Sequence, residues 1–462
     1  MTNRNPGRFA SGGTVHVIGA GLAGLAAAVD LVDAGRRVVV HEAARQAGGR
    51  CRSYHDARLG LTIDNGNHLL LSGNRTALAF LDRIGGRSAL TETDAAFPFV
   101  DLATGERWTL RPNRGRLPWW ILDPRRRVPD TRAVDHFAIL RLLRAPPGAT
   151  VGEVLSCEGP LYERLWKPVL LAALNIDPPD ADVGLAAEVL RRTFGAGGDA
   201  CRPMVATSGL SAAFVDPALA YLRARGAEVR LGHRLQRAVV DGRRIGALAF
   251  GAEAALLGPD DVVVLAVPPW VAADLPPGLA VPMESVGIAN VHFRFRPPPG
   301  LPLVTGLVNG VADWLFAYPD RLSVTVSGTD LAELERQALA RLIWREVAGV
   351  VGRGADPAKP PPWQVVRERR ATFAATPWSR GRRPGPRTGL ANLFVAGDWT
   401  DTGLPACIEG AVLSGTNAAR AVVEAAAARA VVEAAAAATG PSVDRIAGPR
   451  TGGIARMHSA SG

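Results

Sequence analysis

Val15-His16-Val17-Ile18-Gly19-Ala20-Gly21-Leu22-Ala23-Gly24 is the stretch on which the fold turns. Val15–Gly19 is a short apolar strand that runs directly into glycines, and Leu22–Ala34 has the composition of a helix. Gly35 ends that helix, and Arg37–Glu42 is a second strand, so a complete βαβ unit fits within about 30 residues. Each glycine has its own reason. Gly19 permits the tight turn, Gly21 lets a pyrophosphate approach the backbone, and Gly24 lets helix and strand pack closely. Leu22 and Ala23 open the helix, whose positive end favours phosphates. Glu42 stands eighteen residues past Gly24, at the end of the second strand. A carboxylate there accepts ribose hydroxyls and repels a 2′-phosphate, so NADP is disfavoured. The expected fold class is therefore α/β, with a Rossmann-like dinucleotide-binding domain.

Working outward, that domain is discontinuous. A further piece spans Ala218–Val240, with a helix at Leu219–Arg225 and strands at Glu228–Leu231 and Leu235–Val240. Asp261–Val267 reads as a buried strand ended by Pro268-Pro269. The last piece begins with a strand at Leu393–Ala396 and passes through a glycine-punctuated loop into a helix from about Ile408. The cofactor domain is thus expected from residues 14–90, 206–275 and 386–438. The intervening 91–205 and 276–385 form an inserted α+β substrate-binding domain, with a mixed sheet and covering helices. Residues 1–13 and 439–462 are expected to be disordered tails. Arg420–Ala428 recurs as Arg429–Ala437, an alanine-rich duplication that extends the last helix.

Two further blocks separate FAD from NAD. Gly48-Gly49-Arg50 follows Glu42, and Phe394-Val395-Ala396-Gly397-Asp398-Trp399-Thr400 precedes Ile408-Glu409-Gly410-Ala411-Val412-Leu413-Ser414-Gly415. In this order, some 350 residues apart, the blocks resemble the amine oxidase and phytoene desaturase superfamily of flavoproteins. The resemblance implies FAD as cofactor. It places Gly48, Gly49 and Arg50 in the pyrophosphate cradle, where a planar guanidinium suits phosphate oxygens. It places Leu235 beside the adenine, Gly397 and Asp398 on the ribityl and phosphate side, and Gly410 and Ala411 where a helix start faces the flavin ring.

The string Ile63-Asp64-Asn65-Gly66-Asn67-His68-Leu69-Leu70-Leu71-Ser72-Gly73-Asn74 narrows this further, because it is similar to the hydroxysqualene dehydroxylase family. That resemblance implies a long-chain isoprenoid substrate, loss of its hydroxyl, and hydride from flavin N5 to an allylic carbon. It also implies an electron donor that the sequence does not identify. Two demands follow: an acid for the leaving hydroxyl, and exclusion of water. His68 is the first candidate acid, with Asp401 and Lys167 behind it, and Asn65 and Asn67 could orient the hydroxyl or the flavin edge. Histidine in this position is as readily a structural group bonded to backbone. Cys407 reads as packing. Leu161–Leu174 and Trp314–Tyr318 could line an apolar channel, or simply belong to the core. The rivals are a carotenoid or phytoene-type desaturase and a non-catalytic flavin- or lipid-carrying docking protein. An amine oxidase is disfavoured, since none of the four tyrosines lies in the C-terminal block.

Composition bounds the rest. With 462 residues, 47% hydrophobic and 21% charged, the chain has the profile of a two-domain globular enzyme. No apolar run approaches the roughly 18 residues of a membrane span, and the N-terminus lacks an apolar signal core, so the cytoplasm is the expected compartment. The four cysteines are far apart, which argues against a disulfide framework or a metal site. Net charge is +10, carried almost wholly by arginine, and Lys167 and Lys359 are the only lysines. Residues 101–150 hold ten arginines against five acids, with Trp108, Trp119 and Trp120 among them. Arginine beside interfacial tryptophan suits a peripheral contact with an anionic membrane surface. A solvated basic face with its tryptophans in the core is the plainer alternative. No nucleic-acid-binding motif is present, and nucleic acid is not an expected partner.

Overall fold

The computed structural model describes residues 12–275, 278–328 and 334–438. Apart from Gly12 and Gly13, the two expected tails lie outside the described residues. The valine-rich segments assemble as anticipated into a five-stranded parallel sheet. Its strands are β1 (Thr14–Ile18), β2 (Arg37–Glu42), β3 (Glu228–Leu231), β4 (Val262–Leu265) and β5 (Leu393–Val395). The order across the sheet is β3-β2-β1-β4-β5. Thr14 lies opposite Arg37, and Val15 opposite both Val38 and Val262. Parallel strands are covered on both faces, which explains the near-continuous burial of Val38–Val40 and Val263–Leu265.

Helix α1 (Leu22–Asp33) follows the glycine turn, and Ala34 caps it rather than extending it. The predicted strand at Leu235–Val240 is shifted to Arg237–Asp241. It pairs antiparallel with Arg244–Phe250 in a separate three-stranded sheet, not with the parallel one. The short Asp241–Arg244 connection, with Gly242 at φ +57°, makes a hairpin easier than a crossover.

The insertions form a seven-stranded mixed sheet, in the order 363–373, 285–293, 322–327, 314–317, 304–308, 97–101, 107–110. Every neighbouring pair is antiparallel except 304–308 with 97–101. Helix α2 is Arg75–Ile84, α3 is Arg336–Val351 and α4 is Ile408–Ala438. Leu339, Ile343, Trp344 and Val347 of α3 close one face of the mixed sheet against Ala289, Val291 and Val324. Trp314, Phe316 and Tyr318 face a second core that includes Leu165, Trp166, Leu170 and Leu190. The apolar stretches 161–174 and 314–318 are therefore largely core.

The described residues up to Val422 make one compact unit. From Val423 the chain is a unit of its own, helical to Ala438, where Arg429 pairs with Glu433 at 2.7 Å. Among the described residues no helix is long and apolar enough to cross a membrane. All four cysteines are free.

Candidate active site

The site begins at the end of β1. Gly19 turns the chain at φ +107°, a region closed to most side chains, and its N–H donates to the His41 carbonyl at 2.7 Å. A Cβ on Gly24 would stand 1.9 Å from the Gly19 carbonyl oxygen, so helix and strand touch there. Gly21 is the opposite case. Its backbone is extended, and a Cβ would meet no atom within 4 Å. The space over Gly21 is open, and the N–H groups of Leu22 and Ala23 begin α1 beside it with no intrahelical acceptor. A second glycine loop lies against the first. Gly48 N–H donates to the Ala20 carbonyl at 2.8 Å, Gly21 and Gly48 form a bridge, and Gly49 has φ +55°. Glu42 sits between them, accepting from Ala20 N–H and Ala44 N–H at 2.8 Å each. This is a rigid cradle of backbone donors with a fixed carboxylate alongside, and it fits a pyrophosphate and its ribose. Leu235 is buried near His233, whose N–H donates to the Glu42 carbonyl at 2.7 Å.

Arg50 joins this half to the C-terminal half. Its guanidinium meets Asp398 at 2.7 Å across 348 positions of sequence and also donates to the Ala371 carbonyl. Burial works against the cation, but Asp398 more than offsets it and holds Arg50 charged. Gly397 N–H donates to Ser414 Oγ at 2.9 Å, and a Cβ on Gly397 would strike the Trp399 indole at 2.3 Å. Buried Arg383 donates to the carbonyls of Trp399 and Thr400, so a cation braces this loop from behind.

In α4, Glu409 accepts from Thr76 N–H and Ala77 N–H at 3.1 and 2.8 Å, which caps α2. Gly415 carries no side chain because a Cβ would lie 2.2 Å from the Ala23 carbonyl oxygen of α1. Gly410 N–H donates to Cys407 Sγ at 3.3 Å, and Ala411 N–H to the Cys407 carbonyl at 2.9 Å. Those two donors are spent inside the first turn. What Gly410 and Ala411 can offer a cofactor is absence of bulk rather than a hydrogen bond.

The segment Asp64–His68 is sewn to the mixed sheet. Asp64 accepts from Ser53 Oγ and Leu210 N–H, at 2.5 and 2.9 Å. Asn65 donates to Glu368 at 3.3 Å. Asn67 N–H donates to Asn290 Oδ1 at 3.2 Å, its Nδ2 donates to Thr325 Oγ1 at 3.1 Å, and its Oδ1 accepts from Tyr318 at 3.4 Å. His68 Nε2 lies 3.9 Å from Cys51 Sγ. Burial and the Arg50 cation push His68 down to about 4, against an opposing pull from Asp398. At neutral pH His68 is therefore a neutral imidazole, with one N–H to donate. The residue is half-buried. Burial pushes Cys51 up to about 12 and Cys407 up to about 11, so both stay thiols.

The other candidate acids are elsewhere. Asp401 is exposed and accepts from Gly403 N–H, and Lys167 pairs with Glu163 at 3.1 Å on a side chain 44% exposed. Sequence reasoning missed Asn290, Thr325, Arg321 and Arg383, and read Tyr318 only as a channel or core residue, not as a partner of Asn67. Arg321 is almost fully buried, 3.8 Å from Asp64 and over the Tyr318 ring at 4.0 Å. In so arginine-rich a chain a buried arginine gives no signal of its own.

The arrangement can hold a dinucleotide between the two ends of the chain and present a neutral N–H donor beside it. Residues 22–423 match the family described as flavin containing amine oxidoreductase. A hydroxysqualene dehydroxylase from Rhodopseudomonas palustris is 55% identical over 415 residues, covering 89% of this chain and 99% of that protein. A probable zeta-carotene desaturase from Synechococcus elongatus is 25% identical, covering 89% and 99%. Among solved structures, the cyclohexylamine oxidase of Brevibacterium oxydans superposes with a TM-score of 0.65 at 18% identity, covering 89% of this chain and 99% of that one, which shows the shared fold.

Proposed function

The chain belongs to the flavin containing amine oxidoreductase family and, within it, groups with the hydroxysqualene dehydroxylases, and from that premise we propose that it reduces hydroxysqualene to squalene with FAD. The observation that carries the substrate is the 55% identity over 415 residues, nearly the whole of both chains. The desaturase likeness is far weaker, at 25%. We assign residues 14–90, 206–275 and 386–438 to the cofactor and 91–205 and 276–385 to the substrate. The parallel strands fall in the first set and the mixed sheet in the second.

FAD would be held by Gly19, Gly21, Leu22, Ala23, Gly24 and Glu42, by Gly48, Gly49 and Arg50, by Leu235, and by Gly397 and Asp398. Bound and reduced, it supplies two electrons as hydride. The allylic C–O bond breaks, hydride joins the carbon, and the hydroxyl leaves as water with the proton that the fully reduced cofactor gives up as the second of its two hydrogens. His68 donates a hydrogen bond from its N–H to the departing oxygen and keeps that proton. A neutral imidazole suits that part, because it polarises the oxygen without bringing a second cation beside Arg50. Asn67 positions His68 through its anchorage to Asn290, Thr325 and Tyr318. The aromatic core around Trp166 and Phe316 keeps water from the developing allylic cation.

The test is direct. Holoprotein reduced anaerobically and given hydroxysqualene yields squalene, while oxidised holoprotein given phytoene yields no desaturated product. Absence of squalene overturns the proposal.

A further inference from the structure

Residues 111–144 carry nine arginines and three aspartates, a local charge of +6. The structure arranges them around an apolar stripe. Ala133–Arg144 is a 3₁₀ helix of twelve residues. Side chains three apart stand in line in such a helix, so it has three faces. Ala133, His136, Ile139 and Leu142 point inward, with His136 and Leu142 buried. Val134, Phe137, Leu140 and Leu143 point outward, and Arg141 and Arg144 stand exposed on the third face. Alongside runs the turn Trp119–Leu122, joined to the helix from within by an edge-on contact of Trp120 with His136 at 5.4 Å. Trp119 and Leu122 of this turn, and Leu117 just before it, are exposed as well. These seven apolar side chains are 43–64% exposed, and they are seven of the sixteen large exposed apolar residues among those described. A cleft of ~470 Å³ opens at the stripe, with Phe137 and Leu140 on its walls and Arg141 and Arg144 at its side.

We propose that this face rests on an anionic phospholipid bilayer, with the apolar stripe at the acyl boundary and the arginines on lipid phosphates. Seven exposed large apolar side chains on two segments in contact are unusual on a protein that meets only water, and arginines are interspersed among them. Arg116, Arg141 and Arg144 form no ion pair among the described residues, so their charge is available to a partner. Charge also selects the occupant. A second copy of the chain would bring +6 against +6, whereas a bilayer carrying phosphate monoanions brings the opposite sign. Among the described residues no helix is able to span, and the contact proposed is a peripheral one.

The experiment is flotation of holoprotein with vesicles of phosphatidylcholine alone or with one-third phosphatidylglycerol, at low and high salt. The expected result is binding only with phosphatidylglycerol, weakened by salt. Each of Arg141→Ala and Arg144→Ala should weaken it about fivefold. Phe137→Ser with Leu140→Ser should weaken it at least about tenfold. All these side chains are largely outside the core, so flavin absorbance and melting temperature check that the fold is kept. Failure of the wild type to float with anionic vesicles overturns the proposal, as does unchanged flotation of both sets of variants. Self-association abolished by Phe137→Ser with Leu140→Ser, without vesicle binding, overturns it in favour of a protein occupant. Turnover of hydroxysqualene in detergent is read separately, so loss of one conclusion leaves the other standing.

Discussion

Adding one methyl group to Gly21 or to Gly24 separates the cofactor cradle from the fold that carries it. At Gly24 a Cβ would sit 1.9 Å from the Gly19 carbonyl oxygen, well inside van der Waals contact, with the Ala266 Cβ at 3.2 Å as well. Backbone must move, and overpacking of this kind costs about 1–3 kcal/mol. At Gly21 the backbone has φ −73°, which any residue adopts, and the new methyl would touch nothing within 4 Å. Gly21→Ala should leave the apoprotein as stable as the wild type. The methyl would instead occupy the space a pyrophosphate needs beside the N–H groups of Leu22 and Ala23. Losing one or two charge-assisted hydrogen bonds at about 1.5–3 kcal/mol each weakens FAD binding by roughly tenfold to several-hundredfold or more. Urea unfolding of the two apoproteins, with FAD titration by quenching of flavin fluorescence, reads both quantities. Unaltered FAD affinity in Gly21→Ala would refute the cradle, and equal destabilisation by the two substitutions would refute the claim that Gly21 faces open space.

Three further outcomes are expected. Asp398→Asn should cost about 1–2 kcal/mol of stability, less than a fully buried pair because the Arg50 side chain is 36% exposed. A double-mutant cycle with Arg50→Met that shows no coupling would mean the pair is idle. His68→Ala should keep the flavin spectrum and lose turnover about 100-fold; a change in FAD affinity with normal turnover would make the histidine structural. Stability should fall as pH drops from about 6.5 toward 4. Burial, with neighbouring cationic groups, pushes His41 and His292 each down to about 3, so below 6.5 the unfolded chain takes up protons that the folded one refuses. Each such histidine contributes up to about 1.4 kcal/mol per pH unit in that window. Asp313, pushed up to about 6 by burial, opposes this with a single proton. Urea midpoints that stay level between neutral and mildly acidic pH would count against it.

The parts legible in the sequence are those whose cause is local. A strand that ends in Gly19, an open Gly21 and a crowded Gly24 follow from what three successive turns of backbone can accommodate, and the structure places Glu42 against them. The meeting of Arg50 with Asp398 is not local, and no spacing rule links positions 348 apart; family resemblance places each residue on the phosphate side of the cofactor but does not pair them. The same reason hid the parallel pairing of Gly306–Val308 with Phe99–Asp101 in an otherwise antiparallel sheet. Arg383 and Arg321 were masked by composition, because in an arginine-rich chain the buried members look like the rest. The stripe at Val134, Phe137, Leu140 and Leu143 repeats every three residues, a period that fits neither an α-helix nor a strand. Trp119 and Trp120 are adjacent, yet one is exposed and the other buried, and only their packing tells them apart.

The path of the chain also sets a timetable. Strand β5 and the first turns of α4 are among the last described segments to be synthesised, yet β5 borders the parallel sheet, Glu409 caps α2, and Gly415 fits against α1. A nascent polypeptide still missing everything after Val395 has every glycine of the cradle and no counter-ion for Arg50. Vectorial synthesis can therefore shape the nucleotide pocket early but cannot finish it. Capture of the cofactor waits until the segment from Gly397 to Gly415 has been made and has folded back against α1 and α2.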